Sequence, residues 1–277
     1  MGNSLYCKEG KLGSFGGDQL LAYVQQTHVG SGVTVVGTNC DHAELVDLVQ
    51  GLDIQGGDVE APAAQKYHGG QTHSYTCGGV SNLGHAAAHV TDAPVWALVN
   101  NLAYTNGGVA HASLVGSGAA LGSESVPAFA VLGNILGGPA LVPWGSKSAA
   151  STSVLNLSYS DAGLFGVHVS GGALGAADAL KAAREAAMSV TAEDVAAAKA
   201  TVRASVAIAL SEAEGQVESL LSQVALTGGY VAPAAVLKSI DEVTVEAVQA
   251  AAQQAFGGAA TLVVTGDTTY APYLDEL

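Results

Sequence analysis

The feature that most constrains the fold is an alternating pattern between Ser153 and Ser170. Apolar and polar residues exchange places at every second position, which is the period of a β-strand that buries one face. Between the two alternating runs, Asp161, Ala162 and Gly163 are typical of a turn. The pattern therefore predicts an antiparallel β-hairpin with one buried face. The apolar side chains assigned to that face are Leu155, Leu157, Tyr159, Phe165, Val167 and Val169.

Other strand-like and helical segments lie on both sides of the hairpin. The strand-like segments are "KYHGGQTHSY", "VAHASLVGSGA" and "ATLVVTGD". The stretch "SESVPAFAVLGNILGG" predicts a helix that ends near Gly137. Later helices begin at a capping box formed by Thr191 and Asp194 and at a Thr244 cap. Strand clusters that flank a block of helices predict an α+β fold. His168 falls on the hairpin face opposite to Phe165, where we expect a structural or solvent-facing role.

The first part of the chain contains too few elements for a domain. "GVTVVGT" predicts a buried strand, and the helix after it has Asp41 as its N-cap and Leu45 and Val49 on one face. The segment "DIQGGDVEAPAAQ" has glycine, proline and no periodicity, as linkers do. The boundaries that follow are 1–55 for the remnant of a first domain, 56–66 for a linker and 67–277 for a second domain.

The low charge of the chain excludes several kinds of partner. Charged residues make up 12% of the 277 residues, about half the usual share of roughly 25%, and such a surface suggests burial against other proteins. Nine Lys and Arg and a net charge of −15 leave no basic stripe for nucleic acid or anionic lipid. Polar residues interrupt the uncharged run 93–123, so no transmembrane helix is expected. No Arg-rich leader opens the chain, so we expect any organelle address to be absent or removed.

Two histidines four residues apart, His85 and His89, have the spacing of paired ligands in a helical zinc site. Catalytic zinc helices of this kind also carry a glutamate that activates the metal-bound water. The residues between these histidines are all alanine, so no general base is present and a zinc peptidase is not expected. His73 and Cys77 have the right chemistry to join them, which leaves a free zinc-binding module as an alternative. The three cysteines form no C-x-x-C and predict no disulfide framework.

An internal repeat offers another explanation for the stretch that holds these histidines. "YTCGGV" begins at Tyr75 and "YTNGGV" begins at Tyr104, 29 residues later. The segments "GHAAAHV" and "AHASLVG" follow the two copies. Joining Thr76 to Asn106 would restore one continuous strand pattern. We therefore expect residues 77–105 to be an inserted repeat in the second domain.

A series of motifs along the chain matches one protein family in order. They are "KYHGG", "HASLVGSGAALGSESVPAFAVLGNILGGP", "LNLSYSDAGLFG", "DVAAAKA", "TGGYVAPAAVLKSIDEV" and the closing "YLDEL". "NSLYC" and "LLAYVQQTHVGSGVTVVG" match the region just before the end of the family's first domain. On these motifs the chain resembles the carboxy-terminal part of the core 2 subunits of mitochondrial ubiquinol-cytochrome c reductase, respiratory complex III. The match is interrupted only between about Cys77 and Thr105.

The resemblance implies a pitrilysin- or processing-peptidase-like α+β sandwich, with one complete domain preceded by the tail of another. Relatives with peptidase activity carry an H-x-x-E-H zinc motif earlier in the first domain, so no catalytic residue and no metal are expected here. The implied function is that of a non-catalytic structural subunit supporting assembly of complex III, with no haem, quinone or other cofactor. The expected partners are a second core subunit and other complex III subunits, on the matrix side of the mitochondrial inner membrane and peripheral to it.

The alternative function is the non-catalytic half of a mitochondrial processing-peptidase-like metallopeptidase. The segment "LGGPALVPWG" falls where the non-catalytic subunit of that peptidase has its glycine-rich substrate loop. The candidate residues of a partner or substrate loop are therefore Gly137, Gly138, Pro139 and Gly145. A helix stop followed by a surface loop explains the same residues without any function.

Overall fold

The structure is a computed structural model, and the chain divides into two compact units. Residues 9–52, 54, 56–58, 67, 69–70, 72–75, 109–137, 150–266, 268 and 270–277 are described. The first unit comprises Met1–Lys66 and Ala207–Val231, and the second unit comprises Tyr67–Val206 and Ala232–Leu277. The domain boundaries expected from the sequence remain a prediction.

The second unit is built on a five-stranded sheet. Its described strands are β1 Thr72–Tyr75, β2 Val109–Gly118, β3 Ala150–Ser158, β4 Gly163–Gly172 and β5 Thr261–Gly266. They lie in the order β1-β5-β2-β4-β3. The pairs β5-β2, β2-β4 and β4-β3 are antiparallel, whereas β1 and β5 are parallel. Each strand-like segment around the hairpin is therefore confirmed as a strand.

Eight α-helices are found among the described residues. They are α1 Gly17–Thr27, α2 His42–Gln50, α3 Val126–Gly137, α4 Ala173–Met188, α5 Ala192–Ala209, α6 Ala213–Thr227, α7 Pro233–Asp241 and α8 Val245–Phe256. Helices α1, α2 and α6 lie in the first unit, and α3, α4, α7 and α8 lie in the second. This mixture of helices with a largely antiparallel sheet confirms the α+β class.

Side chains at the predicted helix starts satisfy backbone groups that have no partner inside the helix. The N–H of Thr191 donates to Asp194 Oδ2 at 3.0 Å, and the N–H of Asp194 donates to Thr191 Oγ1 at 3.3 Å. The same pairing lowers the pKa of Asp194, chiefly through the Thr191 hydroxyl. At α8, Thr244 Oγ1 accepts from the N–H of Ala247 at 3.2 Å. Both predicted helix starts are confirmed.

The core of the second unit lies between one face of the sheet and helices α3, α4 and α8. Phe129, Phe165 and Phe256 are fully buried at its centre, one each from α3, β4 and α8. Ring centroids are 5.2 Å apart for Phe129 and Phe165 and 5.9 Å apart for Phe165 and Phe256. Gly116 brings β2 close to α8, because a Cβ there would lie 1.8 Å from the carbonyl oxygen of Ala255. Close packing thus fixes how the helices sit on the sheet.

The hairpin is confirmed and its second strand buries the predicted face, but the assignment of Leu155, Leu157 and Tyr159 to that buried face is wrong. In the observed register Leu155 pairs with Gly166, whereas Val154 pairs with Val167 and Asn156 with Phe165. Leu155, Leu157 and Tyr159 therefore lie on the face opposite to the buried Phe165, Val167 and Val169. The reason is the connection: Ser158 pairs with Gly163, so the residues between them shift the alternation of the second strand relative to the first. Leu157 and Tyr159 are 41% and 40% exposed. His168 does lie opposite to Phe165, as predicted.

The predicted buried strand in the first unit is also wrong. Val33 has an extended backbone, but the segment 33–37 belongs to no sheet among the described residues. Val33 and Val35 are 43% and 45% exposed. A strand is buried only when neighbouring strands and a packing layer cover it, and the described part of the first unit supplies neither. The following helix, α2, does begin at the predicted cap, where Asp41 Oδ1 accepts from the N–H of Ala43 at 2.8 Å.

Candidate interaction surfaces

The predicted partner or substrate loop begins at the end of α3. Gly137 is the last residue of that helix and has a φ of 141°, a conformation that favours glycine. A Cβ at this position would lie 3.5 Å from the carbonyl oxygen of Thr152 in β3. Gly138, Pro139 and Gly145 lie outside the described residues, so the structure neither brings the four candidate residues together nor separates them.

The candidate zinc ligands fall mostly outside the described part of the chain. His85, His89 and Cys77 belong to 76–108, which is not described, and so does the expected insertion 77–105. His73 lies in β1, where its Cα pairs with that of Val263 in β5. Across the described ranges, no group of three His, Cys, Asp or Glu side chains is arranged to hold a metal ion.

Two histidines that the sequence did not pair meet on the outer face of the sheet. His111 on β2 and His168 on β4 stack with ring centroids 5.8 Å apart and an interplanar angle of 12°. Ser113 Oγ lies 2.8 Å from Nδ1 of His168. Burial, and then the neighbouring His111, lower the pKa of His168 from its ordinary value of 6.5. His168 is therefore biased toward the neutral imidazole at neutral pH.

Among the described residues that flank this histidine pair, none supplies the acid that catalysis would require. A serine beside a histidine resembles a nucleophile with its base, but the base also needs an orienting acid. The positions that flank the pair on this face of the sheet are Val263 and Thr265 on β5, Ser153 on β3 and Ser170 on β4. Since none of these described residues is acidic, the arrangement suits a polar contact surface better than an active site. No sequence pattern indicates this arrangement, because only the register of β2 against β4 brings His111 near His168.

A second surface lies in the first unit, along α2. An open apolar groove of about 310 Å³ is lined by Gly30, Val33, Val35, His42, Leu45, Val46, Val49, Gln50 and Ile54. None of the lining residues is Lys, Arg, Asp or Glu. The apolar periodicity of α2 was evident in the sequence, but that pattern alone predicts a packed face rather than an open groove.

A third feature is the anchored end of the second unit. Arg184 on α4 donates to the backbone oxygen of Leu277 and, at 3.1 Å, to the carbonyl oxygen of Phe256. Leu274 and Leu277 also pack against the core. This contact holds the closing "YLDEL" against α4 and α8, where it shapes the surface of the second unit.

The fold is similar to that of a protein of known structure. A chain in the structure of complex III2 from Candida albicans with Inz-5 bound superposes with a TM-score of 0.74 and 16% sequence identity. The match covers 96% of this chain and 62% of that chain. Likeness at this level of identity establishes the fold alone.

Sequence comparison identifies particular relatives. Cytochrome b-c1 complex subunit 2, mitochondrial, is 29% identical over 298 residues in Rattus norvegicus and 26% identical over 298 residues in Homo sapiens. Mitochondrial-processing peptidase subunit alpha-2 of Dictyostelium discoideum is 24% identical over 288 residues. The alignments cover 100% of this chain, which spans only 59% of the length of the two subunit 2 proteins and 60% of the peptidase subunit. No family model matches the sequence. The resemblance to core 2 subunits predicted from the sequence motifs is confirmed by these relatives.

In the part of the chain that the structure describes, every helix is too short or too polar to cross a bilayer.

Proposed function

We propose that this chain is a non-catalytic structural core subunit that supports assembly of respiratory complex III. The observation that carries the proposal is the alignment of its full length with cytochrome b-c1 complex subunit 2 of mammals, at up to 29% identity. The fold likeness to a chain of complex III2 supports the same assignment. Because the chain spans 59% of those relatives, the role of the whole relative is extended to it by inference.

The proposal includes the peptidase-like sandwich architecture. Residues 1–55 are the tail of one peptidase-like domain, 56–66 the linker and 67–277 a second domain with an inserted repeat at 77–105. The 24% identity to a processing-peptidase subunit supports this architecture. An α+β unit with helices on one face of its sheet is compatible with it.

The proposal also includes the location and the partners of the chain. It is peripheral to the mitochondrial inner membrane on the matrix side, and it contacts a second core subunit together with other complex III subunits. A low fraction of charged residues, 12%, supports extensive burial against protein partners. A net charge of −15 argues against nucleic acid and against direct adhesion to anionic lipid.

No catalysis is assigned to the chain. The three residues between His85 and His89 are alanines, so the spacing of a zinc helix occurs without a general base. The described surfaces are suited to contacts with other proteins rather than to catalysis.

Co-purification from mitochondria tests this function. A tagged copy of the full chain, isolated in mild detergent, should bring down the other complex III subunits in near-stoichiometric amounts by mass spectrometry. An unrelated matrix protein with the same tag is the control for carry-over. Recovery of the chain alone, or with a peptidase subunit in place of complex III subunits, would contradict the proposal.

A matched pair of variants sharpens the same experiment. Leu157 and Asn156 are adjacent on β3, both exposed, and face opposite sides of the sheet. Leu157→Asp places a charge among the apolar side chains of the outer face and should lower the recovery of complex III subunits. Asn156→Asp adds the same charge on the other face and should leave recovery unchanged. Equal loss in both variants would point to a damaged strand instead of a contact surface.

A second candidate function is the non-catalytic half of a processing-peptidase-like enzyme. The relative in Dictyostelium discoideum supports it, since its name is that of a peptidase subunit. In this case Gly137, Gly138, Pro139 and Gly145 would form a substrate loop, and the chain would co-purify with a catalytic partner and raise its rate of peptide cleavage. Assaying that rate with and without the chain separates the two functions.

A further inference from the structure

The stacked histidines on the outer face of the sheet come from two neighbouring strands of the second unit. His111 pairs with Ser170 across the β2-β4 ladder, whereas His168 pairs with Ser113, so the two histidines are diagonal neighbours. Strand β2 lies between β5 and β4, and β4 lies between β2 and β3. Because each of these strands has a partner on both sides, the ladder fixes the positions from which the two imidazoles project.

The separation of the two rings suits a shared metal ion. An imidazole nitrogen binds Zn²⁺ at about 2.0–2.1 Å, which puts the ring centroid about 3.2 Å from the ion. Two imidazoles on one ion therefore have centroids about 4.5 Å apart when they bind at a right angle and about 6.4 Å apart when they bind opposite each other. The observed 5.8 Å lies inside this range. His111 is exposed, so its ring is free to rotate about the Cβ–Cγ bond and direct a lone pair at the ion.

Ser113 holds the ring of His168 in an orientation that a metal ligand needs. Its Oγ lies 2.8 Å from Nδ1 of His168. When Nδ1 carries the proton and donates to this hydroxyl, the other nitrogen, Nε2, keeps its lone pair for a metal ion. Histidine ligands are commonly fixed in this way, by a hydrogen bond from the ring nitrogen that does not touch the metal. Ser113 is therefore a positioning residue, and the two imidazoles are the ligands.

The chemistry of the donors decides which ions fit. Imidazole nitrogens prefer d-block ions such as Zn²⁺ and Cu²⁺, whereas Mg²⁺ and Ca²⁺ prefer oxygen ligands. The described residues beside the pair on this face include Val263, Thr265 and Ser153, which carry no charge that would repel a cation. The chain as a whole has a net charge of −15, which raises the local concentration of cations.

We propose that His111 and His168 together bind one exchangeable divalent transition-metal ion of the Zn²⁺ and Cu²⁺ class, with water completing its coordination. Two protein ligands make a weaker site than the three or four of resident zinc sites, so the ion exchanges with solution. The ligands are not the histidines His85 and His89, which have the spacing of a zinc helix. This proposal goes beyond the proposed function, and it is tested on the isolated full chain, so its failure does not bear on the complex III assignment.

Calorimetric titration with ZnCl₂ tests the site. The full chain is used with its three cysteines alkylated, so that thiolates do not contribute to binding. We expect one site that His111→Gln and His168→Gln each weaken by at least roughly tenfold, because a single imidazole remains. His42→Gln removes an exposed histidine of the first unit and is the matched control, which should keep the site. Unchanged binding by folded His111→Gln overturns the proposal.

The choice of metal gives a second test on the parent chain. By the Irving–Williams order, Cu²⁺ should bind the site at least roughly tenfold more tightly than Zn²⁺. Mg²⁺ at the same concentration should not compete with either ion, since it prefers oxygen ligands. The electron paramagnetic resonance spectrum of bound Cu²⁺ should show coupling to two imidazole nitrogens, and to one in His111→Gln. Competition by Mg²⁺, or the same spectrum in parent and variant, contradicts the proposal.

Two further sets of variants assign the ligands. The double variant His85→Gln with His89→Gln should retain the site, and its loss there, with retention in His111→Gln, would show that the ligands are wrongly assigned. Ser113→Ala should weaken zinc binding several-fold, whereas Ser113→Thr keeps a hydroxyl and should bind like the parent. Full affinity in Ser113→Ala would show that the hydroxyl does not position His168. Circular dichroism checks that each variant keeps the fold of the parent.

Footprinting of the parent chain needs no variant. Diethylpyrocarbonate acylates an imidazole nitrogen that has a free lone pair, so a bound metal ion protects its ligands. Saturating Zn²⁺ should lower the modification of His111 several-fold, measured by peptide mass spectrometry, and should leave that of His42 unchanged in the same sample. Equal modification of His111 with and without Zn²⁺ overturns the proposal even if His168→Gln does not fold.

Discussion

The two units of this chain use apolar residues in opposite ways. Among the described residues, every buried apolar side chain except Val29 belongs to the second unit. Twenty large apolar side chains in the described ranges are strongly exposed, and five of them belong to the second unit: Leu157, Tyr159, Met188, Tyr270 and Tyr273. A hydrophobic sequence is therefore not the same as a hydrophobic core. What differs is whether a second layer covers the apolar face of each element.

Sequence pattern hides this difference. Helix α2 has a sound N-cap and an apolar stripe, as α8 has. The stripe of α8 lies on a sheet, and its Val248, Ala251, Ala252 and Phe256 are buried. The stripe of α2 lines an open groove. Local stability signals are similar in the two units, and tertiary coverage is what separates them.

Hydrogen exchange should show the largest contrast between the units. Amides of Val167 to Val169 lie in a central strand and should exchange only by global unfolding, with protection of about 5–15 kcal/mol. Amides of Thr34 to Val36 have no backbone partner among the described residues and should exchange almost freely. Equal protection of the two segments would show that the extended segment is covered. Limited proteolysis should likewise remove the chain before about Gly56 first.

Truncation of a core phenylalanine should have the next largest effect. Phe165→Ala removes a fully buried ring between Phe129 and Phe256, and should lower the free energy of unfolding by about 3–5 kcal/mol. Phe15→Ala is the matched control in the first unit, where the ring is 58% exposed, and should change it by less than about 0.5 kcal/mol. Guanidinium denaturation measures both. A large effect of Phe15→Ala would mean that the first unit has a core of its own.

Two glycine substitutions should have smaller effects on stability, and the two effects should be opposite in sign. Gly116→Ala forces a Cβ against the carbonyl oxygen of Ala255 and should destabilise the second unit by about 1–3 kcal/mol. Gly175→Ala in α4 meets nothing within 4 Å and should stabilise it by about 0.5–1 kcal/mol through helix propensity. Thermal melts compare the two. If Gly116→Ala is harmless, β2 and α8 are not in close contact.

The smallest expected effect is a pH dependence in the second unit. Because folding lowers the pKa of His168, the unfolded chain binds more protons near this residue's ordinary pKa of 6.5. The stability that comes from neutral His168 is fully present above that pH and is lost as the pH falls through it. His168→Gln should therefore flatten the fall in the denaturation midpoint between roughly pH 8 and pH 5. If the denaturation midpoint of His168→Gln falls with pH as steeply as that of the parent, His168 is not the cause of the pH dependence.

Much of the local structure could be predicted from the sequence. The hairpin was evident from alternation, and the helix starts at Asp41, Thr191 and Thr244 were evident from capping residues. These signals involve residues that are close in the chain, so short-range sterics and hydrogen bonding decide them. The motif resemblance to core 2 subunits also held against the relatives. Of the four candidate loop residues, Gly137 is the one that lies in the described part of the chain, and its backbone conformation favours glycine.

Contacts between distant residues were not predictable in this way. Alternation shows that two strands are half-buried, but the connection between Ser158 and Gly163 decides which residues share a face. The stacking of His111 on His168 depends on the register between β2 and β4, which no local sequence pattern specifies. Nor could alternation show that Val33 and Val35 would remain uncovered.

The sequence by itself determined the types of element, their order, the low charge of the surface and the likeness to complex III subunits. The tertiary structure alone decided which apolar faces became a core. The physical reason is that propensity and capping act over a few residues, whereas burial requires a second surface brought from elsewhere in the chain. In the second unit the sheet meets helices α3, α4 and α8 and excludes water. In the first unit, among the described residues, the groove beside α2 stays open.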